Sequence, residues 1–236
     1  MNIIPIKTRL FKQGEEIVSF ILIYLPRLKD GSILVITSKI VALSEGRVMK
    51  ETSEKEKEKV IRQESTHALK TKRVWLTIKD GMLIANAGID DSNGNGKLVL
   101  LPEDSFKSAA FLRKEVMKTY KIKRLGVIIS DSVVMPLRAG VVGIALGYAG
   151  FKGVRDYRGK KDLFGRKFKF SQTDVADSLA TAAALVMGEG AERKPLAVIS
   201  DAPVIFSIIT DKKEIQISIK DDMYKPLLSV FKKRRR

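Results

Sequence analysis

The sequence predicts an α+β fold, with mixed sheets and packed helices, in a single domain over residues 1–236. Predicted strands and helices do not alternate regularly, as they would in a doubly wound α/β fold. Hydrophobic residues make up 44% of the 236 residues, which is enough to bury a sizeable core. No linker rich in Pro, Gly and Ser divides the chain, and no internal repeat stands out.

The first half is predicted to contain two helices, a strand and a hairpin. Apolar residues at helical spacing indicate an amphipathic helix over 15–28. The β-branched run "SILVITSKIVAL" at 32–43 predicts one strand, and the mixed charges of 50–63 indicate an exposed helix. Two apolar runs within 73–88 flank the turn Lys79-Asp80-Gly81 and predict a hairpin.

The middle of the chain predicts a helix, a buried strand and a glycine-rich segment. "LPEDSFKSAAFLRKEVMKTY" at 101–120 has acidic residues early and basic residues late, as the helix dipole prefers. "RLGVIISD" at 124–131 predicts a buried strand. Five glycines between 140 and 153 indicate close packing or bulges in a sheet.

The last part predicts a second clear helix and two late strands. The helix covers "TDVADSLATAAALVMG" at 173–188, with Thr173 as its N-cap and Gly188 as its C-terminal stop. The runs "LAVIS" at 196–200 and "EIQISIK" at 214–220 are predicted as strands.

Residue usage excludes several kinds of chemistry. The chain has no cysteine, so a disulfide, a thiolate metal site and a Cys nucleophile are excluded. His67 is its only histidine, which argues against a His-based triad or a multi-His zinc site, and we predict it on a helix surface. With no cysteine, a cytoplasmic setting is the simplest interpretation. The apolar run at 17–26 is too short to span a bilayer, so we expect no membrane contact.

The charge is strongly basic. Lys and Arg number 44 against 27 acidic residues, a net charge of +17, and the basic tail at 231–236 is the densest cluster. Such a surface attracts nucleic acid or small anions. Because the one tryptophan and five tyrosines are scattered, nucleic-acid association stays a minor alternative.

Known nucleotide-binding motifs do not fit. "GNGK" at 94–97 resembles the end of a phosphate-binding loop, but that motif requires Gly where Asp91 stands and Ser or Thr where Leu98 stands. No GxGxxG sequence follows a predicted strand. The remaining candidates for chemistry are side chains with oxygen atoms, above all the carboxylates.

Carboxylates follow two apolar runs. Asp90 and Asp91 end one run and Asp131 ends another, so they meet if these ends lie at one sheet edge. Two such charges about 4 Å apart repel by about 4 kcal/mol at an effective dielectric near 20, so a cluster requires a cation or a proton. Mg²⁺ or Mn²⁺ with a phosphate ligand would satisfy it. The alternative is that these acids only cap loops.

Several motifs, in order, closely resemble those of the coenzyme F420-0:gamma-glutamyl ligase family, of which this chain would be a divergent, short member. They are "VITSKIVALSEGR", "NAGIDDSN", "LLPED", "SDS", "PLRAG", "GIALGYAG", "DYRGKKDLFGR" and "VADSLATAAALVMG". The resemblance covers roughly residues 5–201. It implies an unusual α+β fold that forms an intertwined homodimer.

The resemblance also implies an activity. Members of the family are GTP-dependent amide ligases that activate a carboxylate of a deazaflavin precursor as an acyl phosphate, which the amine of L-glutamate displaces. Mg²⁺ or Mn²⁺ binds against the nucleotide phosphates, and K⁺ is an additional activator. The sequence does not separate GTP from ATP.

Matching positions imply particular residue roles. Asp90 and Asp131 correspond to metal ligands, with Ser132 in place of a threonine beside Asp131. Ser38 and Asn93 correspond to nucleotide contacts. Asp91 corresponds to a variable position and is predicted to face solvent or cap the following loop.

Other positions depart from the family pattern. Glu189, within Gly188-Glu189-Gly190 in the nucleotide segment, replaces a metal-binding glutamine. The early nucleotide segment is replaced by 8–11, including Arg9 and Leu10. Leu43 replaces a nucleotide-binding lysine, for which Arg9 is a candidate substitute.

The segment "SDSVVMPLR" retains Arg138, which we predict to be catalytic together with Asp90 and Asp131. In "DYRGKKD", an ion pair between Asp156 and Arg158 that braces a turn is the favoured interpretation.

From the resemblance, the leading hypothesis is an amide ligase. The alternative from another class is a homologue that binds a nucleotide or phosphorylated ligand without ligating.

Overall fold

The computed structural model describes residues 1–50, 53–92 and 96–231. Its strands are β1 (Asn2–Ile6), β2 (Ser32–Thr37), β3 (Val48–Lys50), β4 (His67–Lys70), β5 (Trp75–Lys79), β6 (Met82–Ala85), β7 (Lys97–Val99), β8 (Leu125–Val133), β9 (Val142–Ala149), β10 (Val154–Asp156), β11 (Gln172–Asp174) and β12 (Leu196–Ser200). Its α-helices are α1 (Ile17–Tyr24), α2 (Ser38–Ser44), α3 (Glu54–Glu64), α4 (Ser105–Tyr120), α5 (Val175–Met187) and α6 (Lys225–Leu228). This mixture confirms the α+β prediction.

A five-stranded sheet in the order β1-β12-β2-β8-β9 forms the centre. β2 and β8 are parallel, and the other neighbours are antiparallel. Ile6 pairs with Leu196, which pairs with Ile36, and Thr37 pairs with Ser130. The ends of β1, β2 and β8 and the start of β12 therefore lie at the same edge of the sheet.

Helices cover both faces of this sheet. Leu34 and Ile36 of β2 pack into one core with α1 and α4, whereas Ile33 and Val35 pack into a second core with α5. Successive strand residues point to opposite faces, so a fully apolar run such as β2 is expected where both faces are buried.

A smaller sheet, β4-β5-β6, lies beside the central sheet together with the β3–β7 pair. Trp75 of β5 and Ile61 of α3 are buried in a separate core with Ile89, Leu98 and Leu100. The predicted hairpin around Asp80 is confirmed, and Asp80 and Gly81 both have positive φ at its turn. Helix α3 confirms the exposed helix predicted for 50–63.

Some predicted boundaries are wrong. The strand predicted for 32–43 ends at Thr37, and α2 begins at Ser38. The helices predicted at 101–120 and 173–188 are confirmed as α4 and α5. The N-cap of α5 is Asp174 rather than Thr173, and its carboxylate accepts a hydrogen bond from the amide of Asp177. Asp104, predicted inside α4, is the N-cap of that helix.

Two further predictions are wrong. His67 lies in strand β4 and not on a helix. The predicted strand at 214–220 is absent: turns replace it, with the amide of Glu214 bonded to the carbonyl of Asp211. Within the described ranges, no helix is long and apolar enough to cross a membrane. Of the basic tail, residues 232–236 lie outside the described residues.

Candidate functional site

Segments from distant parts of the chain converge at the common edge of the central sheet. The amide of Thr8, after β1, donates to the carbonyl of Arg193 at 2.9 Å, and the amide of Thr37 donates to Pro195 at 3.0 Å. The turn over 134–141, which contains Arg138, joins β8 to β9 beyond the same edge. This edge therefore brings together the segments that follow β1, β2 and β8 and the segment that precedes β12.

Asp131 is held beside the start of α2. Ser38 is buried, and its Oγ donates to Oδ1 of Asp131 at 3.1 Å. A register shift between Ile129 and Ser130, just before Asp131, offsets β8 against β9. Such bulges re-aim side chains next to functional sites.

Asp131 has an unusual protonation equilibrium. Burial is the main cause that raises its pKa, to about 6, and the charge of Asp90 adds to the rise. Hydrogen bonds from the Ser132 amide and from Ser38 oppose it only partly. A carboxyl group with a pKa this close to neutral, at a site of convergent polar groups, is typical of functional sites.

Asp90 is held by the next residue of the same helix. Nζ of Lys39 lies 2.6 Å from Oδ2 of Asp90 and also donates to the carbonyl of Ser92 at 2.8 Å. Burial favours the protonated form of Asp90, but the hydrogen bonds from Lys39 and Ser92 outweigh it and lower its pKa. Ser38 and Lys39 thus bring the two predicted carboxylates together.

The chain is shaped locally to present Asp90. Asn86, Ala87 and Gly88 all have positive φ, so the chain turns sharply after β6. The backbone of Asp90 then exchanges two hydrogen bonds with Val99, at 3.0 and 2.8 Å. A left-handed conformation at two non-glycine residues is strained and is often found near functional sites.

Glu189, just after the end of α5, contacts the residue that follows Asp131 in β8. That helix stops at Gly188, which has a φ of +84°, and the chain then turns back toward the sheet edge. Oγ of Ser132 donates to Oε1 of Glu189 at 2.6 Å. Glu189 is exposed, as are Gly188 and Gly190.

The remaining predicted residues make no described contact with Asp90 or Asp131. Arg9 is exposed and pairs with Glu15 at 2.8 Å, and Leu10 is 71% exposed. Arg138 is exposed in its turn, and its side chain makes no hydrogen bond or ion pair with other described residues. Asn93 lies outside the described residues.

Two structural interpretations match the contacts. The Asp91 carboxylate is 62% exposed and pairs with Lys57 of α3 at 3.0 Å, so it points away from Asp131 and toward solvent. Nε and Nη2 of Arg158 both donate to the carboxylate of Asp156, which braces the turn after β10.

Lys39 and Ser92 are contacts that the sequence analysis missed. Both lie inside motifs that had been selected, "TSK" and "NAGIDDSN", so the signal was present. These contacts were missed because the strand predicted for 32–43 was extended past Thr37, where β2 ends. In a strand, Ser38 and Lys39 would point to opposite faces, whereas at the first turn of α2 both reach the same edge.

The donor atoms fit a hard divalent cation. Asp90, Asp131, Ser132 and Glu189 offer only carboxylate and hydroxyl oxygens, which Mg²⁺ and Mn²⁺ prefer. Over the described ranges, no three His, Cys, Asp or Glu residues form a ready-made metal cage. Mg²⁺ typically binds one or two protein carboxylates together with substrate phosphates and water, so a full cage is not required.

Comparison with known proteins assigns this chain to a family of ligases. The model of the F420-0:gamma-glutamyl ligase family matches residues 5–201. The coenzyme F420:L-glutamate ligase of Methanocaldococcus jannaschii is 37% identical over 87% of this chain and 90% of its own length.

Two further relatives carry the same name. The protein of Methanococcus maripaludis strain C7 is 35% identical over 92% of this chain and 94% of its own length. That of Archaeoglobus fulgidus is 36% identical over 80% of this chain and 83% of its own length. The chain therefore belongs to the F420-0:gamma-glutamyl ligase family.

Proposed function

We propose that the protein is a nucleotide- and metal-dependent amide ligase that adds L-glutamate, or a similar amino acid, to a carboxylate of a coenzyme F420 precursor or a related acceptor. One observation carries this proposal. Residues of family motifs that are distant in sequence are in contact: Ser38 with Asp131 and Lys39 with Asp90, and Ser132, beside Asp131, with Glu189. The relatives named as coenzyme F420:L-glutamate ligases support the substrates.

The proposed reaction has two steps. An oxygen of the acceptor carboxylate attacks the γ-phosphorus of GTP, or of ATP, and the nucleoside diphosphate leaves. The amino nitrogen of glutamate, as the free amine, then attacks the acyl carbon of the acyl phosphate, and inorganic phosphate leaves with the electron pair of the C–O bond. The nitrogen loses one proton to solvent and keeps the other as the amide N–H. The products are an amide, a nucleoside diphosphate and phosphate.

The residues of the site have distinct roles in this proposal. A divalent cation, Mg²⁺ or Mn²⁺, would neutralise phosphate charge when held by Asp90, Asp131, Ser132 and Glu189, with K⁺ as a further activator. Lys39 supplies a fixed positive charge beside Asp90. Positioning and electrostatic stabilisation account for catalysis of this kind.

The nucleotide would contact residues around the same edge. The proposed contacts are Arg9, Leu10, Ser38, Asn93, Gly188, Glu189 and Gly190, and Arg138 reaches the reacting groups from its turn.

We also propose a homodimer, which exposed apolar residues between β10 and β11 support. Leu163 is 98%, Phe164 83% and Phe170 87% exposed.

The decisive experiment is release of phosphate from GTP and from ATP, with Mn²⁺ or Mg²⁺ and a deazaflavin acceptor, with and without L-glutamate. A ligase releases phosphate in proportion to the amide formed, which mass spectrometry detects as an acceptor extended by one glutamate. Turnover should be lost in Asp131→Asn. The same rate with and without glutamate, and no extended product, would refute ligation.

One observation favours the non-ligating alternative. Arg9, the candidate substitute for the lysine that Leu43 replaces, is already engaged by Glu15, and its guanidinium also stacks over Phe20 at 5.2 Å. A homologue without that positive charge could bind a nucleotide without transferring its phosphate. Nucleotide binding without glutamate-dependent phosphate release would identify this case.

A further inference from the structure

A basic cleft lies outside the carboxylate site. It has a volume of about 460 Å³ and lies between α3 and the turn that joins β4 to β5. Its basic lining residues are Lys55, Lys57, Lys70, Lys72 and Arg73. The acidic lining residues are only Glu54 and Glu58. The cleft therefore carries an excess of positive charge.

Much of this charge is not neutralised locally. Lys70 lies 3.6 Å from Glu58, and Lys57 is paired with Asp91. The other three basic side chains make no ion pair with any residue that the structure describes: Lys55, Lys72 and Arg73. Three cationic side chains around one concave surface favour an anionic ligand.

The cleft adjoins the carboxylate site through two neighbouring residues. Asp90 contacts Lys39 at the sheet edge, and Asp91 contacts Lys57 of the cleft. The proposed nucleotide contacts that the structure describes do not line the cleft. A ligand that reached from the reacting centre past Asp91 would therefore enter a basic surface that the nucleotide does not occupy.

The proposed reaction produces a ligand of this kind. Amide formation consumes one carboxylate of the acceptor, and the added glutamate brings two, so each addition leaves the product with one more negative charge. Building on the function proposed above, we infer that the cleft between α3 and the β4–β5 turn binds the carboxylates of the acceptor and of a γ-glutamyl residue attached to it. Lys55, Lys72 and Arg73 are the residues that recognise them.

The sequence supplies a built-in reporter. Trp75 is the only tryptophan of the chain, it lines the cleft, and 9% of its surface is exposed. The guanidinium of Arg62 lies 4.4 Å from the centroid of its ring, and Nζ of Lys70 lies 5.5 Å from the centroid. A ligand that moves these cations changes the surroundings of the single indole, so its fluorescence reports on the cleft.

The test is a titration of the full-length protein with tri-γ-L-glutamate, followed by Trp75 fluorescence and, on the same samples, by calorimetry. The test variant is Lys72→Gln/Arg73→Gln, at the exposed turn of the cleft. The matched control is Lys114→Gln/Lys118→Gln on the exposed side of α4, which makes the same change in charge. The same γ-linked peptide with every α-carboxylate and the terminal carboxylate converted to a carboxamide, and with its amino terminus acetylated, is neutral and controls for binding that does not depend on carboxylates.

We expect saturable binding that changes Trp75 emission and that weakens about tenfold or more in the cleft variant, the loss expected when charge-assisted hydrogen bonds are removed. The control variant should bind like the wild type, and the neutral peptide should not bind. For ligation, the cleft variant should raise the KM for an acceptor that already carries γ-glutamate more than it lowers kcat.

Two outcomes would overturn the inference: no binding of tri-γ-L-glutamate, or equal weakening in the cleft and control variants. Its failure is distinct from failure of the proposed function. Glutamate-dependent phosphate release with no binding in the cleft would retain the ligase and reject the cleft. Binding in the cleft without phosphate release would retain the cleft as an oligocarboxylate site and reject the ligase.

Discussion

Adjacent residues at the start of α2 hold two aspartates in different electrostatic states. Lys39 gives Asp90 a positive partner, which lowers its pKa despite burial. Ser38 gives Asp131 only a neutral hydroxyl donor, and burial raises its pKa to about 6. Asp131 makes no direct ion pair with a described residue, so a cation that binds this edge would favour its charged form.

The first prediction concerns Asp131→Asn. The substitution should abolish turnover and leave the free energy of unfolding at pH 8 unchanged or raised by about 1–3 kcal/mol, since it removes a buried charge whose pKa is raised. Urea unfolding at pH 8 and phosphate release measure the two effects. The matched control is Asp211→Asn in an exposed turn, which should retain activity. Full activity in Asp131→Asn would contradict the assignment.

The second prediction concerns Asp174, the N-cap of α5. Burial raises its pKa to about 6, and the negative charges of Asp177 and Glu214 add to the rise. The native state therefore binds this proton more tightly than the unfolded chain does. The contribution of Asp174 to the free energy of unfolding should therefore fall as pH rises from about 4 to 6, by about 1–3 kcal/mol in total.

Asp174→Asn removes the titrating group but keeps a good N-cap residue. The free energy of unfolding of this variant, minus that of the wild type, should increase from pH 4 to pH 6 and should be constant above about pH 7. Urea unfolding at each pH measures the difference. An unchanged difference across this range would show that Asp174 titrates equally in both states.

At the scale of elements, errors in prediction arose where long-range contacts override local preference. The run at 32–43 is rich in β-branched residues, yet Ser38 begins a helix where its hydroxyl meets Asp131. The run at 214–220 alternates as a strand should, but it forms turns and pairs with no strand in the part of the chain that the structure describes. Glu214 and Ile215 instead dock on the core beside α5. The sequence pattern predicted well those elements that local preference determines, and predicted these two runs poorly.

The third prediction concerns this docked C-terminal segment. Oε2 of Glu214 accepts hydrogen bonds from the buried Tyr148 hydroxyl at 2.7 Å and from the amide of Gly153 at 2.9 Å. Glu214→Ala should reduce the free energy of unfolding by about 1–3 kcal/mol, because two buried donors lose their partner. Glu214→Gln keeps an acceptor oxygen and should cost less. Equal losses in both variants would show that these bonds do not hold the segment.

Over the whole molecule, the order of motifs indicated the family before any contact was known. The sequence did not reveal that Lys39 holds Asp90 or that Arg9 is engaged by Glu15, since such pairs join residues whose distance only the fold defines. The net charge of +17 has a further consequence. Any polyanion is attracted to this surface, so binding of a nucleotide must be separated from general attraction of anions.

The last prediction makes that separation by thermal unfolding with GTP, ATP or inorganic tripolyphosphate, each with and without Mn²⁺. A ligand at a hundred times its Kd stabilises the native state by about 2.7 kcal/mol. For a chain of this size, that corresponds to a rise in Tm of roughly 5–10 °C. Specific binding at the carboxylate site should require Mn²⁺, prefer one nucleotide, and disappear in Asp131→Asn.

General attraction of anions behaves differently. It should be equal for tripolyphosphate and nucleotides, independent of Mn²⁺, retained in Asp131→Asn, and strongly reduced by added salt, because exposed charges more than about 10 Å apart are screened at 0.1 M. If every stabilisation follows this second pattern, Asp90 and Asp131 do not form a metal–nucleotide site, and the observation that carries the proposed function no longer supports it.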